Sequence, residues 1–379
     1  MPASPSTARA INDRLALRLL QDEGPLTAGQ LKNLTGLSRP TVADLVERLQ
    51  GSGLVHVVGE SGAERRGPNA RLYAIVADRA HLAALDVRTH SVSLVVADLL
   101  GRTLAEATLP ITPEAGTGPA VEQAVALLER TAKEAGAERL HSVGIGAPGL
   151  IDPASGELRD TSGLPAWHRE LVRVLARRLP AAVLVENETN LAAVAEQRLG
   201  AARGQDTFVL LWLGQGVGAS VVLDGKLRRG ASGGAGEIGF MPVPGTGGLP
   251  SARGCEGGFH ELVHAGAVAR LAARHGRPGG AEEAVREAEG PFLDALAQRI
   301  AIGAAGVVAV LDPGLLVLGG ELGYAGGELL AARVQRALAA LTPLTTEVRL
   351  SALGDGAVLS GALLTARDAA QDDLFAPKA

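Results

Sequence analysis

Aromatic side chains make up only 2% of the 379 residues, and one cysteine, Cys255, stands in the whole chain. So few rings argue against gripping single-stranded nucleic acid by stacking bases on a row of aromatics. One thiol cannot close an intrachain disulfide, which fits a reducing compartment. Long apolar runs are scarce as well. The most membrane-like, Ile300 to Leu311, breaks off at Asp312-Pro313-Gly314, short of the roughly 20 apolar residues that span a bilayer. It is expected to be a buried helix, and no membrane partner is expected. The opening Met1-Pro2-Ala3-Ser4-Pro5 has no basic patch followed by an apolar stretch, so it does not read as a secretory signal. The expected location is the cytoplasm.

What is present is an ordinary globular balance, 46% hydrophobic and 20% charged, in a chain long enough for two or three domains. The net charge of -5 is unevenly placed. Residues 1 to 75 hold nine Lys or Arg against seven Asp or Glu, leaving 27 against 34 for the remainder. A mildly basic head on an acidic body points to a nucleic-acid partner for the head alone.

The head reads as three helices and a hairpin. Ile11, Leu15 and Leu19 recur at four-residue spacing and predict one face of a first helix. Thr27 and Gln30 form a capping box ahead of Leu31 and Leu34, and Gly36 ends this short second helix. Ser38 caps a third, with Pro40 tolerated in its first turn and Val42, Leu45, Val46 and Leu49 as its core stripe. Gly51 and Gly53 end it. Two extended stretches, Leu54 to Val58 and Arg71 to Ile75, flank a loop containing Arg65-Arg66-Gly67-Pro68. This order is that of a winged helix-turn-helix. Its third helix would enter the major groove, where Arg39 and Thr41 can reach base edges and Arg48 lies nearer the phosphates. Arg65 and Arg66 would follow the backbone or minor groove. Thr41 can equally pair with Ser38 at the cap, and a small protein-binding module with a solvated basic loop is the plainer alternative for the whole head.

From about His81 strands alternate with helices. His81 to Val87, Ser91 to Leu100 and Arg102 to Ile111 predict a meander, followed by a helix from Gly118 to Ala135, a strand from His141 to Ala147, and a further helix and strand. A similar order restarts near Asp206 with strands Thr207 to Leu213 and Gly218 to Leu223, and later Leu315 to Leu318. Two mixed α/β lobes around a cleft are the expected architecture.

Five motifs in order carry a resemblance: Val143-Gly144-Ile145-Gly146-Ala147-Pro148-Gly149, Glu186-Asn187-Glu188-Thr189-Asn190, Gly214-Gln215-Gly216-Val217-Gly218, Ala235-Gly236-Glu237-Ile238-Gly239 and Leu318-Gly319-Gly320. Behind a winged helix, this series resembles the ROK family of sugar kinases and sugar-responsive repressors. The resemblance implies a two-lobed, actin-like or hexokinase-like α/β domain at 79–379 behind a DNA-binding domain at 1–78. Lobe one would cover about 79–200 plus the C-terminal helix, and lobe two about 201–355.

Three departures from the kinase pattern accompany it. Kinase members end the first strand in Asp-x-Gly-Gly-Thr, whereas Asp86-Val87-Arg88-Thr89-His90 puts side chains at both glycine positions, where backbone must approach phosphate. Nucleotide binding is expected to be impaired, unless Arg88 makes a phosphate contact of its own. The family's catalytic Asp is replaced by Glu188, whose extra methylene displaces the carboxylate by more than about 1 Å, an error that can cost on the order of 10²-fold in rate. Beside the start of a helix, Glu188 is also simply a favourable charge. Finally, the His and three Cys that hold structural zinc in many members align with Phe240, Ala252, Gly254 and Phe259, so no metal is expected. The two phenylalanines suggest an apolar staple in place of zinc, or two independent core residues.

The same alignment implies sugar contacts from Asn187, Glu188, Glu237 and Glu261, oxygen-rich groups suited to a polyhydroxyl ligand. The expectation is a non-catalytic, cofactor-free regulator of carbohydrate-related genes, a repressor, forming a homodimer or homotetramer. It would bind an inverted-repeat duplex operator, and a sugar in the cleft would relieve binding. A frozen dimerisation scaffold without ligand, and an ATP-dependent sugar kinase that acquired a DNA-binding head, are the alternatives.

Overall fold

The computed structural model describes residues 5–61, 70–112, 114–159, 164–251, 257–286 and 288–376. The head runs α1 (Pro5–Glu23), β1 (Leu26–Thr27), α2 (Ala28–Thr35), α3 (Arg39–Gly51), β2 (Val55–Ser61) and β3 (Ala70–Ile75). Local chemistry sets the helix ends. The Thr27 hydroxyl accepts from the Gln30 amide while the Gln30 side chain accepts from the Thr27 amide, and Gly36 closes α2 in the left-handed region at φ 69°. Ser38 caps α3 with Pro40 in its first turn, and Val42, Leu45, Val46 and Leu49 form the buried stripe. The first helix differs from expectation. Ile11 and Leu15 are 59% and 40% exposed, and the inward face is Ala16, Leu17 and Leu20, with Leu19 only partly buried. Spacing fixed a face but not which face the rest of the chain would cover. Leu34 on α2 is likewise exposed.

Lobe one contains β4 (His81–Arg88), β5 (Ser91–Asp98), β6 (Thr103–Pro110), α4 (Thr117–Glu134), β7 (Leu140–Ala147), α5 (Ala166–Arg178), β8 (Ala182–Asn187) and α6 (Glu188–Leu199). Lobe two contains β9 (Phe208–Leu213), β10 (Val217–Leu223), β11 (Lys226–Arg228), α7 (His260–Val263), α8 (Ala265–Arg274), α9 (Ala281–Arg286), α10 (Pro291–Leu311), β12 (Leu315–Gly319), α11 (Gly320–Ala339) and β13 (Glu347–Leu350). The sheets run β6-β5-β4-β7-β8 and β11-β10-β9-β12-β13. In each, an antiparallel meander is extended on the far side of its first strand by two parallel strands, so one topology occurs twice. The apolar α10 is long enough to cross a membrane, yet Leu296, Ile300, Ala304 and Val308 are buried in the lobe-two core.

The last helix, α12 (Ala357–Leu374), joins everything. It can lie directly on β7 and α6 because glycines meet it. A Cβ on Gly144 would come within 2.2 Å of the Ala362 carbonyl oxygen, and one on Gly361 within 2.0 Å of that of Leu191. At its far end Ala366, Ala370 and Phe375 enter the same apolar cluster as Leu17, Leu20, Leu31 and Leu45 of the head. Arg14 pairs with Asp372, and Gln371 donates to Gln21. The head's core is therefore closed by the end of the chain.

Candidate functional site

The cleft between the lobes holds a cavity of about 930 Å³, lined by Arg88 to Ser91, Pro148 to Leu150 and Asn187 to Asn190 from one side and by Trp212, Gln215 to Ala219, Glu237, Phe240 and Glu321 from the other. The glycine motifs make these loops. Gly236, at φ 91°, packs so closely on β10 that a Cβ would come within 1.9 Å of the Ala219 carbonyl oxygen. Its own carbonyl accepts from the Ala219 amide at 2.8 Å, which fixes Glu237 at the cavity wall. Asn187, Glu188 and Glu237 thus share one cavity. Glu261 does not line it; on α7 both of its oxygens accept from the Gly247 amide at 3.3 Å.

Asn187 has a job that the sequence reading overlooked. Its Oδ1 caps α6, accepting from the amides of Thr189 and Asn190, while Nδ2 donates to the Gly149 carbonyl at 3.0 Å. An Asn directly ahead of a helix is a cap signal that could have been read. Also unanticipated is a polar chain across the lobes: Glu186 accepts from Asn190 Nδ2 and from Arg229 Nε, and Asn190 Oδ1 accepts from Ser220 on β10.

Arg88 stands where the family's phosphate loop has glycine, and each of its three nitrogens already has an acceptor. Nε donates to Asp86 Oδ2 at 2.9 Å, Nη1 to Glu321 Oε1 at 3.3 Å and Nη2 to the Asp355 carbonyl at 3.3 Å. Asp86 is 3% exposed, and its burial raises its pKa against the opposing pull of Arg88. Burial, with Asp86 and Glu321 nearby, pushes Glu188 up to about 8, and burial also raises Glu237. Among the described residues, the carboxylates of Glu188 and Glu237 have no hydrogen-bond partner.

The segment that would hold zinc is built otherwise. Phe259 is fully buried against α10, so close that a Cβ on Gly303 would fall 2.4 Å from its ring, and its amide donates to the Met241 carbonyl at 2.8 Å. Phe240 is 45% exposed at the cleft wall. The two rings do not make a staple; one plugs the core and the other faces the cavity. Ala252, Gly254 and Cys255 lie outside the described residues, and among those described no three His, Cys, Asp or Glu are grouped to hold a metal. With Phe at two of the four ligand positions, the residues do not fit a structural zinc.

On the head, Arg39 is exposed at the first position of α3. Thr41 Oγ1 lies 2.8 Å from Ser38 Oγ, so its hydroxyl is engaged at the cap. Arg48 is a brace: it reaches Asp13 on α1 at 2.6 Å and also Asp44. Both carboxylates compete with a phosphate for this guanidinium. Arg65 and Arg66 fall outside the described residues.

Comparison with known proteins places these features. The family model described as "ROK family" matches residues 82–369. The chain belongs to the ROK family. A model described as "MarR family" matches residues 11–67 of the head. A glucokinase of Thermotoga maritima is 30% identical over 72% of this chain and 92% of its own length. The DNA-binding transcriptional dual regulator NagC of Escherichia coli is 25% identical over 62% of this chain, which spans only 58% of NagC. A solved ROK family transcriptional regulator, a homologue of the E. coli MLC protein, superposes with a TM-score of 0.77 at 20% identity, covering 97% of this chain and 98% of that one. That likeness establishes the fold: a two-lobed ROK domain behind a winged helix, as the motifs implied. The ROK relatives include both kinases and regulators.

Proposed function

We propose that this ROK protein is a sugar-responsive transcriptional repressor, acting in the cytoplasm on carbohydrate-related genes without catalysis, cofactor or metal. The observation that carries the reading is Arg88. A triphosphate needs bare backbone at the first loop, and here that space holds a guanidinium tied to Asp86, Glu321 and the Asp355 carbonyl. Joined to a winged helix, a cleft so altered suits sensing. The protein is a homodimer or homotetramer whose paired heads read an inverted repeat about one helical turn apart. A sugar held by Asn187, Glu188 and Glu237 that prefers one lobe arrangement would shift the heads through α12, which runs from the cleft loop at Asp355 to the head core.

The competing reading is a sugar kinase with a DNA-binding head, and the glucokinase relative supports it. Two assays separate them. Selection from random duplex DNA is expected to recover an inverted repeat. A coupled assay with ATP and a hexose panel is expected to stay far below ordinary kinase turnover of about 1 per second. Turnover at that level would replace the repressor reading by the kinase one.

A further inference from the structure

The chemistry of the cleft narrows the ligand class, taking as given the reading of the cavity as a sugar site. Three devices could hold an anion there; two are engaged from within the chain and the third is guarded by a carboxylate. The nitrogens of Arg88 are engaged as described above. The first amides of α6 donate to Asn187 Oδ1. The start of α11 has no side-chain cap, but its first turn presents the Glu321 carboxylate to the cavity, which an arriving anion would meet. A phosphoryl group entering the cavity would meet Glu188, Glu237 and Glu321 with no uncommitted Arg or Lys among the lining residues. The acceptors are in the opposite condition. Glu188 and Glu237 are without partners among the described residues, and Glu321 Oε2 and Asp86 Oδ1 are buried and unpartnered. Glu188 is half-buried and Glu237 exposed at the cavity wall, so a ligand can reach both, and one supplying charged N–H groups would pair with acceptors that have no donor among the described residues.

We infer that the cleft selects an amino sugar in its ammonium form, with Glu188 and Glu237 as the receptors of the amine, over neutral, N-acetylated and phosphorylated sugars. Hydroxyl contacts fall to the remaining polar wall, including Thr89, Ser91 and Gln215. The groups that set the charge state of Glu188 are Asp86 and Arg88 on β4, Glu237 on the facing loop and Glu321 on α11, with Asp355 acting on Asp86 and His90 at the cavity wall. Glu188 is mostly protonated at pH 7, so an arriving ammonium group would drive its proton into the buffer.

Calorimetry on the full chain at pH 7, in two buffers of different ionisation enthalpy, tests this with glucosamine, galactosamine and mannosamine against their neutral parents, N-acetyl derivatives and 6-phosphates. The expected result is that at least one amino sugar binds tenfold or more tightly than its parent and releases a proton, and that its 6-phosphate binds more weakly. Glu188→Gln and Glu237→Gln should each bring the ratio of amine to parent to within about threefold. A neutral, acetylated or phosphorylated sugar binding as tightly as the amine overturns the amine preference and leaves the sugar site standing. Heat from no member of the panel overturns the sugar reading itself.

Discussion

Arg88 Nη1 lies 3.3 Å from Glu321 Oε1, so one side chain at the end of the first lobe-one strand is ion-paired with the first turn of a lobe-two helix. The same guanidinium neutralises Asp86, whose side chain is otherwise sealed from water. The pair therefore does two things: it fills the end of the first strand with a guanidinium and it ties the lobes.

Removing Arg88 leaves Asp86 as an uncompensated buried charge, a situation that typically costs 3 to 5 kcal/mol when both partners are buried. Arg88 itself is partly exposed, so Arg88→Ala is expected to lose about 2 to 3 kcal/mol in urea denaturation near neutral pH. Arg88→Ala with Asp86→Asn should recover most of the loss. An undiminished unfolding midpoint in the single variant would show that the ion pair contributes nothing.

The two arginines of α3 should part company. Arg39→Ala is expected to weaken specific duplex binding by about 1 to 3 kcal/mol and to relax preference at one base position, since the side chain is exposed at the helix start. Arg48→Ala should instead lower the melting temperature of the protein and leave the salt dependence of DNA binding unchanged, because Asp13 and Asp44 hold its charge. A shallower salt slope for Arg48→Ala at unchanged stability would return it to the phosphate contacts.

Glu188 makes stability depend on pH with a defined sign. Its pKa is raised from 4.5 to about 8 in the folded chain, so the folded state holds a proton that the unfolded state has lost, and stability falls as pH rises between those values. Glu188→Gln cannot ionise. Relative to the parent chain it should melt higher at pH 8 to 9, and the advantage should shrink towards pH 5. Parallel melting curves across that range would mean that Glu188 titrates normally.

Phe259 is a core residue, fully buried against α10. Phe259→Ala should cost about 3 to 5 kcal/mol, the usual range for emptying a buried phenylalanine site, and Phe240→Ala much less because that ring is half-exposed. Equal losses from the two in chemical denaturation would revive the idea that the rings act as a unit.

Much of this was legible in the chain. The Thr27 and Ser38 caps, the α3 stripe and the alternation of strands and helices are local patterns, and local patterns survive folding. The face of α1 was misread because Ile11 and Leu15 satisfy the helical period as well as Leu17 and Leu20 do, and the choice is made by what packs on the helix, α2, α3 and β3 with the distant end of α12. The partners of Arg88 were hidden for the same reason, since Glu321 and Asp355 lie more than 230 residues away in the sequence and only the folded lobes bring them to it. Phe240 and Phe259 show the limit of reasoning by substitution. Two residues that a resemblance assigns to one site need not be neighbours, and here one ring is buried while the other is half-exposed.

The enclosure of the head by α12 also bears on how the molecule is made. Leu17, Leu20, Leu31 and Leu45 are translated more than 300 residues before Ala366, Ala370 and Phe375, which complete their packing. Until then the head lacks part of its apolar cover. A chain cut short of α12 would carry an incompletely packed head, so the winged helix completes its packing only once the ROK domain behind it is in place.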